Sequence, residues 1–243
     1  MSVSEILRVT RAKMQGIWGF AIAVSAVVAV IAMSIPQLIT PVLGTMEFWA
    51  DILWNILIAS PVAMGAMWLF LDIYDDFEVE ISHIFLAFKD YGRVVGAVFW
   101  KYFLIVMWTL LFIIPGIIAW LNYSQMELLM KDNPMMTGQI AVKESKEMMN
   151  GHKGRYFGLY LRIFWPAIIG SMTGIFMMGN AIDINVVTGL FEFDALLAQR
   201  ASYVSFFSGV AWQLLNAYGR PAFAVFYRDL KSRKEEELSY YNY

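Results

Sequence analysis

The chain is predicted to fold as an all-α polytopic membrane bundle of six transmembrane helices. Three observations lead there. Of its 243 residues, 59% are hydrophobic and only 16% are charged, whereas soluble domains sit near half apolar and a quarter charged. Several apolar runs reach the roughly 20 residues that a helix needs to cross about 30 Å of hydrocarbon. Basic residues also concentrate in segments that would face one side of a bilayer. The absence of cysteine excludes a disulfide framework, a thiolate metal site and thiol catalysis. A net charge of −2 gives no ground for a nucleic-acid partner.

Spans are placed at 16–35, 52–73, 94–114, 116–131, 156–178 and 203–228, within one integral membrane domain covering 1–243. Ahead of the first, Arg8, Arg11 and Lys13 precede "GFAIAVSAVVAVIAM". That run is too long for a signal-peptide core, and no small-x-small cleavage site precedes Pro36, so it reads as a retained span. The third and fourth spans meet in "LLFIIPGIIAWLNYS". As one helix, residues 94–131 would measure about 57 Å, nearly twice the hydrocarbon thickness. Proline removes a helical donor and glycine tolerates a tight turn, so Pro115 and Gly116 are expected to mark a hairpin tip. A kinked helix with a re-entrant half is the alternative. Pro166 and Pro221 are expected to kink the last two spans.

With the N-terminus inside, six spans return the C-terminus to the same face. The inner segments then carry 14 of the 18 basic residues, among them Arg93, Lys131, Arg155, Arg228 and Lys231. Five spans would strand "KSRKEEE" outside, against the positive-inside rule. Both termini are therefore expected in the cytoplasm.

The order of features repeats. "SEILRVTRAKMQGIWG", "ISHIFLAFKDYGRVVG" and "IAVKESKEMMNGHKGRYFG" each set a helical stretch and a basic residue before a glycine and a span. The units close with "LFLDIYDD", "LLMKDNP" and "VFYRDLK". Three tandem copies of an amphipathic helix plus a helical hairpin would account for this; any hairpin rising from a basic inner face would partly mimic it. Ser2 and Glu5 fit a capping box, and Thr137 is a candidate cap for the third amphipathic stretch. Such helices lie in the membrane interface or pack against the inner ends of the bundle.

The stretch 110–165 carries a family resemblance. Ile114-Pro115-Gly116-Ile117, Tyr123-Ser124, Asp132-Asn133-Pro134, Ala141, Ser145, and 149–153 with Gly151 resemble the bacterial domain-of-unknown-function 975 family. "RAKMQGIW" and "FYRDL" are similar to that family's ends, while 180–215 offers no match. The resemblance implies a six-span protein of the bacterial cell membrane, distantly similar to the membrane domain of some glycerophosphodiester phosphodiesterases. It implies no activity, and the soluble catalytic domain of those enzymes is missing here.

Polar residues inside spans are costly enough to raise functional suspicion. The fourth span offers Asn122, Ser124, Gln125 and Glu127; the sixth offers Gln213, Asn216 and Arg220; Lys101 and Arg162 sit roughly 10 Å inside their spans. The reading is a buried ligand site on the inner half of the bundle, built from Glu127, Arg162, Arg220, Asn216 and Asn122, with Glu127 neutralising Arg220 or Arg162. It would hold an anionic lipid headgroup or a coupling ion; alternatively the cations snorkel and Glu127 pairs locally. "DIYDDFEVE" clusters carboxylates without calcium-loop spacing, and His83 and His152 lack ligand-like neighbours, so neither metal nor cofactor is assigned. No nucleophile motif, P-loop or dinucleotide fingerprint is present. Gly170 with Gly174, and Ser205 with Gly209, suit close helix approach within the bundle, with a homo-oligomer seam as the alternative. The expected function is non-enzymatic binding of lipid or a hydrophobic peptide within the membrane, as in an accessory or immunity-type protein. A small transporter or channel subunit is the alternative, and an enzyme acting on lipid stands third.

Overall fold

A few caps, glycines and prolines decide where this apolar chain turns. The computed structural model describes residues 1–35, 46–180, 182–185, 190–193 and 195–241, so residues 36–45, including Pro36, and parts of the 181–194 segment lie outside the described residues. Helix α1 (Val3–Lys13) opens with the expected capping box. Ser2 Oγ accepts from the Glu5 amide at 3.3 Å, and Glu5 Oε2 accepts from the Ser2 amide at 2.6 Å. Gly16, at φ +88°, lets the chain bend by 101° into α2 (Trp18–Ala29), which widens into a π-helical turn at Val30–Ser34.

Helices α3 (Glu47–Trp54) and α4 (Ser60–Tyr74) join through a second π-helical turn, Asn55–Ala59. Pro61, which has no amide to donate, sits just past that widened turn. A ten-residue 3₁₀ helix, Ile81–Asp90, then leads into α5 (Tyr91–Leu111). The remaining elements are α6 (Ile113–Asn122), α7 (Met126–Asp132), α8 (Gly138–Met148), α9 (Lys153–Asn180), an antiparallel pair of short strands β1 (Ile182–Asn185) and β2 (Leu190–Phe193), and α10 (Ala195–Tyr241). Among the described residues, three rods are long and apolar enough to cross a membrane: Trp49–Tyr74, Ile81–Leu111 and Lys153–Asn180. The bent pair α1–α2 would add a fourth if it is one span.

The hairpin tip is displaced from its expected place. Phe112, extended at φ −161° and ψ 151°, makes the break, and Pro115 and Gly116 lie inside α6. Proline costs nothing at the third helical position, because first-turn amides have no intrahelical acceptor; the first such bond runs from Gly116 N to Phe112 O at 3.3 Å. Gly116 serves a different purpose. A Cβ there would stand 2.1 Å from Thr109 Oγ1, so the glycine lets α6 close onto α5. Pro115→Ala is thus expected to change stability by less than about 0.5 kcal/mol, whereas Gly116→Ala costs about 1–3 kcal/mol. Thermal unfolding of the two variants in one detergent separates them. The tip itself is apolar and open, with Leu110, Leu111, Phe112, Ile113 and Ile114 all 59–77% exposed. Its arm α5 has 21 residues, about 31 Å, against about 42 Å for the 28 residues of α9.

The expected fourth span is also corrected. It is not one helix over 116–131 but two, α6 and α7, interrupted at Tyr123, Ser124 and Gln125. The polar side chains there favour bonds to nearby backbone over the helical ladder: Ser124 Oγ donates to Leu121 O at 2.9 Å.

Packing follows small residues. Gly170 and Gly174 of α9 face Ser208 and Ser205 of α10, so these small residues close a helix pair within the chain. Gly65 admits the 3₁₀ helix, since a Cβ there would lie 1.9 Å from Ile84 O. Backbone cannot step aside as a flexible side chain can, so Gly65→Ala is expected to cost about 3 kcal/mol, the top of the usual overpacking range; a lowered unfolding midpoint checks it. Phe164, Tyr156, Phe223, Phe226 and Tyr227 form the aromatic heart between α9 and α10.

One turn occurs twice. After α1 the amides of Met14, Gln15 and Ile17 donate to the carbonyls of Thr10, Ala12 and Met14; after α8 those of Met149, Asn150 and His152 donate to Ser145, Glu147 and Met149. Gly16 and Gly151 occupy the same place in each, at φ +88° and +76°. The buried residues Ile6, Leu7, Thr10 and Met14 correspond in spacing to Ala141, Val142, Ser145 and Met149.

Candidate functional site

The polar groups form two layers. The first gathers the closing ends of α4 and α7, the starts of α1 and α9, and residues 227–231 of α10 at one face. Asp132, closing α7, accepts from Arg228 Nη1 at 2.5 Å, Lys231 Nζ at 2.5 Å and Tyr227 OH at 2.9 Å. Arg228 also donates Nε to Asp75 Oδ1 at 3.0 Å. Lys131 reaches Asp72 at 2.6 Å, and Arg155 and the N-terminal ammonium of Met1 both pair with Asp229. The three aspartate-bearing segments that close the sequence units therefore share one charged layer. Asn133 continues from Asp132, its Nδ2 donating to Leu129 O at 3.3 Å, and Pro134 follows in the turn before α8.

Burial alone would raise the Asp132 carboxyl, but the hydrogen bonds from Arg228, Lys231 and Tyr227 outweigh it and hold that carboxyl below its ordinary value. Asp229 is likewise raised by burial and lowered further by the N-terminal ammonium, Arg155 and Arg233. A carboxylate depressed by folding contributes stability that is complete above its unfolded value and is lost as pH falls through the folded one. The unfolding midpoint is therefore expected to hold between about pH 7 and 5 and to fall once pH drops below the ordinary aspartate value of 3.8.

The second layer lies one to two helical turns deeper. Lys101 of α5 donates Nζ to Glu127 Oε1 of α7 at 2.8 Å, with the lysine side chain 9% exposed. Trp68 Nε1 donates to Glu127 O at 2.8 Å. Beside them, Ser145 Oγ bridges the α6–α7 break: it accepts from the Gln125 amide at 3.0 Å and donates to Asn122 O at 2.7 Å. The side-chain oxygens Asn122 Oδ1 and Gln125 Oε1 are buried with no partner among the described residues.

The expected partners of Glu127 are corrected. Arg162 is exposed on the outer face of α9 and is not part of the site. Arg220 is buried, yet its guanidinium bonds Ser25 Oγ at 3.4 Å rather than the carboxylate. Lys101, on the helix facing α7, reaches Glu127 first. Asn216 is half-buried and turns its amide back to Trp212 O at 3.0 Å. Asn122 is bonded through its carbonyl to Ser145 of α8, not to Glu127. Thr137 occupies the N-cap of α8, but its side chain accepts no capping bond. In "DIYDDFEVE", Asp72, Asp75 and Asp76 each have a cation, from Lys131, Arg228 and Lys13. Sequence reasoning missed Lys101 as the counter-ion and Ser145 as the bridge. The spacing of Lys101 from the inner end of its span was a usable signal; nothing local marked Ser145 beyond the family resemblance.

No curated protein and no solved structure matches the chain. The family model described as "Protein of unknown function (DUF975)" matches residues 93–234, more than half of the sequence. That stretch holds the α5–α6 hairpin, the α6–α7 break, Ser145, Gly151 and the Asp132–Arg228 pair, whereas "RAKMQGIW" falls outside it. The chain belongs to the DUF975 family.

Proposed function

We propose that this is a six-span integral membrane protein that holds lipid or a hydrophobic peptide within the bilayer and catalyses no reaction. Its place is the bacterial cell membrane, with both termini and the charged layer in the cytoplasm. The observation that carries this reading is the distribution of exposed apolar side chains. They crowd the α5–α6 tip and the outer face of α9, where Trp165, Ile169, Met172, Ile175 and Phe176 are 57–72% exposed, while paired charges gather at one end. Water is a poor solvent for such a surface; acyl chains or an apolar peptide suit it. The turn shared by Gly16 and Gly151 supports a fold assembled from tandem hairpin units. A role as an accessory or immunity protein fits a surface of this kind.

Native mass spectrometry in mild detergent tests the binding; a protein that retains neither lipid nor peptide sinks it. Topology has its own check. The chain has no cysteine, so single Ile113→Cys and Lys143→Cys variants report without background to a membrane-impermeant thiol reagent in intact cells. Only the first is expected to react.

A transporter or channel subunit is the second reading. It is favoured by Gln213, Asn216 and Arg220, which recur at helical spacing on one stripe of α10, with Gln213 Oε1 buried and unpartnered among the described residues. Flux of labelled solutes into proteoliposomes would displace the first reading in its favour.

A further inference from the structure

The α5–α6 hairpin and α8 enclose a cavity of about 250 Å³ whose two ends differ in chemistry. At one end lies Lys146 of α8, which is exposed and forms no ion pair with any described residue. Next to it is Asn122, only 8% exposed, whose buried Oδ1 has no donor. Lys146 is held beside Asn122 because its neighbour Ser145 donates to Asn122 O at 2.7 Å. The other end is apolar. Trp108, Pro115 and Ile118 wall it, and Trp108 and Ile118 are themselves 46% and 44% exposed, continuous with the bare hairpin tip.

We infer that this cavity is a binding site for the headgroup of an anionic phospholipid, its phosphate on Lys146 and a headgroup hydroxyl donating to Asn122, with an acyl chain laid along Trp108 and Ile118. The inference rests on the lipid-binding reading above and gives it a place and a ligand class. Charge selects the occupant. An unpaired ammonium favours phosphate over a neutral apolar peptide, and an orphaned buried acceptor costs free energy until a donor reaches it. The volume holds a headgroup and the first methylenes, not a whole lipid. The chain must therefore lie outside, on the exposed apolar face that adjoins the opening. A soluble anion would satisfy Lys146 but would leave that face bare.

The test titrates delipidated protein in mild detergent with phosphatidylglycerol and, separately, with phosphatidylcholine, counting adducts by native mass spectrometry. The wild type is expected to prefer phosphatidylglycerol. Lys146→Glu should weaken that binding about tenfold or more, the effect of replacing one charge-assisted contact by a repulsive one. Lys143→Ala, an exposed lysine on the same helix, should leave it unchanged. Asn122→Ala should weaken it less than Lys146→Glu, and keeps the proposal testable if the charge reversal fails to fold. Equal phosphatidylglycerol binding by the wild type, Lys146→Glu and Asn122→Ala overturns the site while leaving lipid binding intact. Displacement by glycerol phosphate alone overturns the lipid as occupant. Loss of both lipids from the wild type removes the broader reading as well.

Discussion

Asp132→Ala is expected to destabilise the protein by about 3 kcal/mol, the lower end for breaking a buried ion pair, because the Arg228 side chain keeps 19% of its surface exposed. The cost is not the loss of an attraction alone. Arg228, Lys231 and Tyr227 all donate to this one carboxylate, and alanine leaves them without it in a partly dry layer. Arg228 would keep Asp75, so the guanidinium is not wholly orphaned. Tyr227, 0% exposed, has no other acceptor among the described residues, and an unpaired buried hydroxyl costs about 1–3 kcal/mol. Asp132→Asn should recover part of the loss through its remaining oxygen. Unfolding midpoints of the three proteins in one detergent check the order wild type, then asparagine, then alanine.

Glu127→Ala is expected to be at least as severe, about 3–4 kcal/mol, because it strands Lys101 where only 9% of that side chain meets the surroundings. The informative variant is the double one. Lys101→Met with Glu127→Leu fills similar volume without charge, and a paired deletion of this kind often restores stability lost by either single change. The pair's coupling should exceed 1 kcal/mol. Coupling between Glu127 and Arg220 should be smaller, since those two act on each other through the field alone and Arg220 makes its hydrogen bond to Ser25. Equal couplings would mean that the carboxylate is shared between the two cations.

The helical architecture and the presence of rods long and apolar enough to cross a membrane were legible because they rest on a bulk property, apolar run length, that survives averaging over many residues. The capping box at Ser2 and Glu5 was legible for the opposite reason: it is local, and four residues suffice to form it. The tip lies at Phe112, three residues before the Pro115-Gly116 pair that reads locally as the breaker. Proline is neutral in a first helical turn, and the glycine answers to Thr109 on the neighbouring helix, which no local pattern announces. The fourth span breaks at three polar residues, where Ser145 of α8 takes up backbone groups on both sides of the gap. Glu127 pairs with Lys101, not with Arg220 or Arg162. Depth along a span can be counted from sequence, whereas the face a side chain presents depends on how neighbouring helices rotate against one another. That rotation sends Arg162 outward and Lys101 inward.

The short hairpin has a consequence for the lipid around it. If the rods cross a bilayer as proposed and α5 and α9 start level, the tip of Leu110, Leu111, Phe112, Ile113 and Ile114, borne on an arm about 10 Å shorter than α9, meets the opposite leaflet as a notch. Acyl chains there must dip and splay to cover it, at a cost of a fraction of a kcal/mol per ångström of mismatch. Such a dimple would draw in lipids that tolerate curvature and, like a dent in a stretched sheet, would pull neighbouring dents together.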